Sequence, residues 1–305
     1  MGKLGGKPKV LVLDSFDEAF FKELQNYCEI VDETRMKEVE ILIVRSNTKV
    51  NGEFVSKLPN LRLVVSATHG EDHIDKQVLE GRKIPYRTAP VQNYDVAQGV
   101  MAYIFAFATR MVNADRSMKK GEWRKKELVG FRVEGKTLGI VGYGRIGREV
   151  ARQALANGMK VIVYEKDPKA RRENALPVVF AERLEELLTK SDIITIHVPL
   201  TEETKGMISE HELAKVKKGA YLINTARGGI VDEEALLKAL EDDKLAGAAL
   251  DVFQHQPPLV NNSSEKLVRH EKVIASPHSI AQTREALRQK GESVLKIIRE
   301  YMGKA

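Results

Sequence analysis

Residues 137–156 read T-L-G-I-V-G-Y-G-R-I-G-R-E-V-A-R-Q-A-L-A, an apolar strand that breaks into a glycine-spaced turn and leaves it as a helix. The G-x-G-x-x-G spacing is common by itself; the strand before it and the helix after it make it specific. Gly142 permits the tight turn, Gly144 lets a pyrophosphate approach the backbone, and Gly147 lets the helix pack closely on the strand. Arg145 and Ile146 open that helix, whose free N–H groups point at the phosphates. The next apolar run, 161–164, ends at Glu165, close to the roughly 20-residue spacing of an acid that holds the adenine ribose. A carboxylate there accepts from the ribose hydroxyls and repels a 2′-phosphate, which favours NAD. Asp167 is a rival for this role, and Lys166, Arg171 and Arg172 leave room for NADP.

The strand–helix rhythm extends over the whole chain. Short apolar runs at 10–13, 41–44 and 63–65 alternate with helix-compatible stretches such as 17–27. Runs at 137–141, 161–164, 193–196, 220–223, 246–250 and 273–275 follow, each separated by helical or loop sequence. Such alternation calls for parallel sheets with helices on both faces. A helix over 96–113 is apolar on most sides, which suits burial between two layers. A last amphipathic helix over 283–302 is expected to leave the second domain and pack on the first. The expected division is 1–95 with 284–305 as a substrate-binding domain, and 96–283 as a dinucleotide-binding domain. The α/β architecture would be two doubly wound parallel-sheet domains. The least structured stretch is 254–264.

Composition narrows the function classes. The net charge is +6, but both signs are interspersed and the basic clusters are short, such as Arg124-Lys125-Lys126. No basic stripe or aromatic platform for nucleic acid is evident; a mild positive excess suits a small anionic substrate. Cys28 is the single cysteine, which fits a reducing cytoplasm. The start M-G-K-L-G-G-K-P-K-V has no secretory pattern, and Gly6 stands where a myristoylation signal has Ser or Thr. No apolar run reaches the ~18 residues of a membrane span. No metal site is expected.

Three residues at strand ends carry candidate chemistry. Arg227 lies in N-T-A-R-G-G-I-V-D-E-E-A-L, just after the run at 220–223, and a guanidinium can grip a carboxylate with two parallel hydrogen bonds. Asp251 ends the run at 246–250. His278, in S-P-H, follows the last run. Oxidising an alcohol needs a base for its proton, and imidazole has a suitable intrinsic pKa.

With these residues in view, the chain resembles the D-isomer-specific 2-hydroxyacid dehydrogenase family, and within it most closely the phosphoglycerate branch. The resemblance rests on I-V-R-S-N-T-K-V (43–50), R-S-M-K-K-G-E-W (116–123), G-K-T-L-G-I-V-G-Y-G-R-I-G-R-E-V-A (135–151), N-T-A-R-G-G-I-V-D-E-E-A-L, G-A-A-L-D-V-F and S-P-H, which together span nearly the whole chain. It implies two Rossmann-like domains with the active site in an interdomain cleft, NAD as cofactor, a small 2-hydroxy or 2-keto acid as substrate, and a homodimer built through the dinucleotide domain. Ending at Ala305, the chain resembles a short form without the C-terminal regulatory domain of some members. By the same resemblance Arg227 orients the substrate carboxylate and carbonyl, His278 is the acid/base, and Asp251 holds the nicotinamide carboxamide. His197, Val198, Pro199, Thr204, Thr225 and Ala226 would run beside the cofactor. Arg45 and Asn93 would contact substrate, with Ser66, Thr68, His69 and Gly70 forming the carboxylate-binding loop.

Two departures stand out. The family Glu that pairs with the catalytic His is replaced by Gln256, in D-V-F-Q-H-Q-P-P. A Gln can orient the imidazole without stabilising its charge, so His278 should be less basic and keto-acid reduction at neutral pH should suffer most. Gln here also resembles formate dehydrogenase, whose reaction needs no proton relay, and it is the one feature that leans toward an NAD-sensing binding module. The second departure is S-A-T-H-G-E-D-H-I-D (66–75), which replaces the usual Ala-Gly-x-Gly-x-Asp run and bears on substrate identity.

Overall fold

The computed structural model describes residues 6–13, 15–45, 48–68, 70–89, 91–172, 175–258 and 262–304. The chain divides into two compact units, 1–92 with 282–305, and 93–281.

In the first unit, strands β1 (Lys9–Val12), β2 (Glu29–Val31), β3 (Ile41–Val44), β4 (Leu63–Ser66) and β5 (Tyr86–Thr88) form a parallel sheet of order β2-β1-β3-β4-β5. The runs at 41–44 and 63–66 are buried throughout, as central strands of a doubly wound sheet must be. β2 and β5 escape a reading by pattern: each is a short edge strand with exposed residues and no apolar run. The helix Glu18–Tyr27 is capped by Asp17, which accepts from the Phe20 amide at 2.8 Å. The C-terminal helix Arg284–Lys304 sets Val294, Leu295 and Ile298 into one apolar cluster with Phe20 and Leu24.

In the second unit, β6 (Thr137–Val141), β7 (Lys160–Tyr164), β8 (Val179–Ala181), β9 (Ile193–Ile196), β10 (Ala220–Asn224), β11 (Leu245–Leu250) and β12 (Val273–Ala275) form a parallel sheet of order β12-β11-β10-β9-β6-β7-β8. Three elements differ from the sequence reading. β8 is an additional edge strand. The apolar helix covers Asn93–Thr109, not 96–113. It stops because Arg110 adopts the left-handed conformation (φ 55°), and a second helix, Met111–Lys119, starts beyond it. Val100 and Ile104 pack with Leu138, Ile140 and Val150, which places the first of these helices against the helix Arg145–Ala156. Among the described residues no helix is long and apolar enough to cross a membrane.

Candidate active site

All strands of the second sheet run parallel, so their carboxyl ends line one edge. The chain reverses its winding between β6 and β9, which makes the crevice there the expected ligand position. Gly142 leaves β6 with φ 96°, and its closest neighbour across the switch is the His197 carbonyl, which a Cβ on Gly142 would meet at 2.7 Å. A Cβ on Gly147 would overlap the Gly142 carbonyl. Gly144 differs from both. It caps the helix Arg145–Ala156 with its amide end open, and no atom lies within 4 Å of a Cβ built there.

Glu165, half-buried at the end of β7, accepts from the Tyr143 amide at 2.6 Å and from the Asp167 amide at 2.9 Å. The carboxylate thus ties the end of β7 to the glycine turn. Asp167 is exposed and accepts from the Lys169 amide at 2.8 Å. Arg171 spends its guanidinium on the carbonyls of Glu165 and Ala181 and on the Glu182 carboxylate, while Lys166 pairs with Glu203. Two of the cations that left room for a 2′-phosphate are therefore engaged elsewhere.

Past β9, His197 is held by Thr195, whose Oγ1 lies 2.9 Å from Nε2. Burial pushes its pKa down to about 3, so the ring is neutral at working pH. Val198 is half-buried and Pro199 exposed; Thr204 donates to the Pro199 carbonyl at 2.5 Å and closes the turn between them.

The loop after β10 is organised by a residue that sequence reasoning passed over. Buried Asn224 accepts from the Ala226 amide at 3.0 Å and donates to the Arg227 carbonyl at 2.8 Å. Arg227 is half-buried, with Nη1 donating to the Ala226 carbonyl at 2.7 Å. The Thr225 hydroxyl is buried and makes no hydrogen bond among the described residues.

Asp251, 2% exposed, organises the turn that bears His278. Its carbonyl accepts from the His278 amide at 2.9 Å. Its Oδ1 accepts from the Ser276 hydroxyl and from the amides of Ser279 (2.9 Å) and Ile280 (3.2 Å). Burial raises the carboxyl above its ordinary pKa, and these three donors pull it back. No hydrogen bond reaches its second oxygen among the described residues. His278 is half-buried and adopts φ 53°. That left-handed backbone turns successive N–H groups inward, a geometry suited to an anion.

Gln256 is exposed, and no hydrogen bond of its side chain is formed among the described residues. Glu233, buried at the start of the helix Glu233–Glu241, accepts from the Gln254 amide at 2.6 Å and from the Ser264 hydroxyl. These bonds hold the foot of the loop, and residues 254–257 stay exposed.

In the first unit, Arg45 follows β3 and Ser66 ends β4. The Ser66 hydroxyl lies 2.7 Å from Thr68 Oγ1 and 3.0 Å from His73 Nε2, and Thr68 donates to the Gly70 carbonyl at 2.7 Å. His69 lies outside the described residues. Asn93 begins the helix Asn93–Thr109 of the second unit.

A dinucleotide fits this edge. The open helix N-terminus at Gly144, the buried unsatisfied Thr225 hydroxyl and the second oxygen of Asp251 are places where phosphate and polar ligand groups would complete the hydrogen bonding.

Known proteins bear on the same residues. The description "D-isomer specific 2-hydroxyacid dehydrogenase, NAD binding domain" matches residues 101–279. The chain is 43% identical over 265 residues to a hydroxypyruvate reductase of Thermotoga maritima, covering 86% of this chain and 85% of that protein. It is 42% identical over 288 residues to the D-3-phosphoglycerate dehydrogenase of Bacillus subtilis, covering 91% of this chain but 54% of that protein, so it spans about half the length of that relative. Among solved structures, the D-lactate dehydrogenase of Aquifex aeolicus, complexed with NAD and lactic acid, superposes with a TM-score of 0.86 at 30% identity, covering 97% of this chain and 96% of that one. With its glycine turn, strand-end acid and strand-end arginine and histidine carried on this sheet, the chain belongs to the D-isomer-specific 2-hydroxyacid dehydrogenase family, whose dinucleotide is NAD.

Proposed function

We propose that the chain oxidises the C2 hydroxyl of 3-phospho-D-glycerate to 3-phosphohydroxypyruvate, the entry step to serine biosynthesis. The observation that carries this reading is an adjacency: Arg227, Asp251 and His278 follow β10, β11 and β12, three neighbouring strands of one parallel sheet. Bound NAD supplies the hydride acceptor. Arg227 holds the substrate carboxylate by its guanidinium fork, half-fixed already by the Ala226 carbonyl. His278 takes the hydroxyl proton as the carbonyl forms. Asp251, whose Oδ1 holds the histidine turn, would hold the carboxamide of the cofactor. Arg45, Ser66, Thr68 and Gly70, with His69, are the residues of the first unit proposed to receive the substrate, together with Asn93. The 42% identity to a phosphoglycerate dehydrogenase supports the phosphorylated substrate.

The proposed assembly is a homodimer through the second unit. Met111, Met118, Trp123 and Val129 expose 57–78% of their surface over one short stretch, an apolar face that a second copy would cover. In that dimer Arg124 to Lys126 are offered to the substrate phosphate. A cytoplasmic location is consistent with the single, buried cysteine.

A second reading, reduction of hydroxypyruvate or glyoxylate, is favoured by the 43% identity to a hydroxypyruvate reductase along 85% of that protein's length. The test is NADH formation from NAD and 3-phospho-D-glycerate across a pH series, beside NADH consumption with hydroxypyruvate and with glyoxylate, with His278→Ala as control. Turnover of the phosphorylated acid that disappears in the variant supports the first reading. Turnover confined to the unphosphorylated keto acids replaces it with the second. NADH formation from formate alone points to the exposed Gln256 as the mark of a formate-type reaction. NAD binding without any turnover leaves an NAD-sensing module.

A further inference from the structure

The turn that presents His278 is held from two sides, and only one of them is the sheet. Three successive amides, those of His278, Ser279 and Ile280, all donate to Asp251, the first to its carbonyl and the others to Oδ1. The second grip comes from the helix Asn93–Thr109. Tyr103, 4% exposed, sets its hydroxyl 2.5 Å from the Ser276 hydroxyl. On the same face of that helix, Gly99 leaves the space into which Ile280 inserts; a Cβ at Gly99 would overlap the Ile280 side chain. Positions 99 and 103 are one helical turn apart and so face the same way.

Proton counting fixes the direction of this contact. Each hydroxyl carries one proton. The Ser276 proton goes to Asp251, whose carboxylate has none to give. Ser276 therefore has only a lone pair for Tyr103, and the phenol must donate. Burial pushes the Tyr103 phenol up, which keeps that proton in place. The rest of the Tyr103 ring lies in the apolar cluster of Ile104, Ile140 and Val163, where a phenylalanine would sit as well. The hydroxyl is thus the one part of this side chain that packing does not explain.

We propose that Tyr103 is a positioning residue for His278, acting through an ordered proton chain from Tyr103 to Ser276 to Asp251 that holds the His278 turn in its left-handed conformation. The inference rests on the reading of His278 as the acid/base. It adds a specific role for a buried residue on a helix remote in sequence.

The test is a double-mutant cycle on the whole chain with Tyr103→Phe, Ser276→Ala and the pair. Tyr103→Phe should lower kcat by about fivefold to tenfold, the rate equivalent of one neutral hydrogen bond. KM for the hydroxy acid and the NADH Kd should stay within about twofold, as for a group that serves only the chemical step. In the Ser276→Ala background the Tyr103→Phe change should have no further effect, since both act through Asp251. A Tyr103→Phe variant with unchanged kcat, or effects that multiply, would overturn the relay. The His278 imidazole resonances give a readout without turnover: they should move in Tyr103→Phe. If the parent chain turned over no hydroxy acid, the functional reading would fail by itself, and unmoved resonances would then sink the relay independently.

Discussion

Glu165 accepts a 2.6 Å hydrogen bond from the backbone amide of Tyr143, so the acid that follows β7 also braces the glycine turn that follows β6. Each carboxylate oxygen can accept twice, which leaves capacity for ribose hydroxyls. Glu165→Gln is expected to weaken NADH binding by about tenfold, the loss of roughly one charge-assisted hydrogen bond. It should also lower the melting temperature, because the Tyr143 amide loses its anionic acceptor. Fluorescence titration with NADH and a thermal melt read the two effects separately.

The glycines of the turn should respond in opposite ways. Gly147→Ala drives a methyl into the Gly142 carbonyl and is expected to cost about 1–3 kcal/mol of stability. Gly144→Ala meets no atom within 4 Å, so the apo protein should melt at its usual temperature while NADH affinity falls. Unchanged affinity in Gly144→Ala would remove the pyrophosphate from this helix end.

His197 links stability to pH. Its folded pKa lies at about 3, below the 6.5 of an ordinary imidazole. The unfolded chain therefore binds a proton in that interval that the folded chain refuses, and stability falls as pH drops from 6.5 toward 3. Above that interval the contribution is constant. His197→Gln should flatten the curve of melting temperature against pH between about 6.5 and 4, and wild-type slope in the variant would refute the assignment.

The buried Thr225 hydroxyl makes no hydrogen bond among the described residues. Replacing it by an isosteric methyl removes an unsatisfied polar group, so Thr225→Val should leave the apo protein as stable or up to ~1 kcal/mol more stable. The same change should weaken NADH binding if the hydroxyl serves the cofactor. Calorimetric melts with and without NADH would show the two shifts with opposite sign.

Much of the frame was legible because buried parallel strands are uniformly apolar. Ile41–Val44 and Ile193–Ile196 announce themselves, whereas Glu29–Val31 and Tyr86–Thr88 are short edge strands with polar residues, and Val179–Ala181, though apolar, is only three residues long at a sheet edge. The helix break at Arg110 has no glycine or proline to signal it. In the site, residues that would touch ligand lie in recognisable spacings at strand ends. Those that hold them do not: Tyr103 meets Ser276 across 173 positions of sequence, and Glu233 meets Ser264 across 31. Asn224 could have been suspected, since an Asn ending a buried strand needs a local hydrogen-bonding partner. Gln256 was legible as a substitution, whereas its exposure was not, and neither was the clamp that Glu233 makes on Gln254 and Ser264.

That clamp has a practical consequence. Glu233 fastens Gln254 and Ser264 to one carboxylate, so the chain between them closes a loop whose two feet are already anchored. Lengthening a closed loop costs little conformational entropy. A peptide cassette inserted in the exposed stretch 254–257 is therefore expected to leave the register of the neighbouring strands undisturbed.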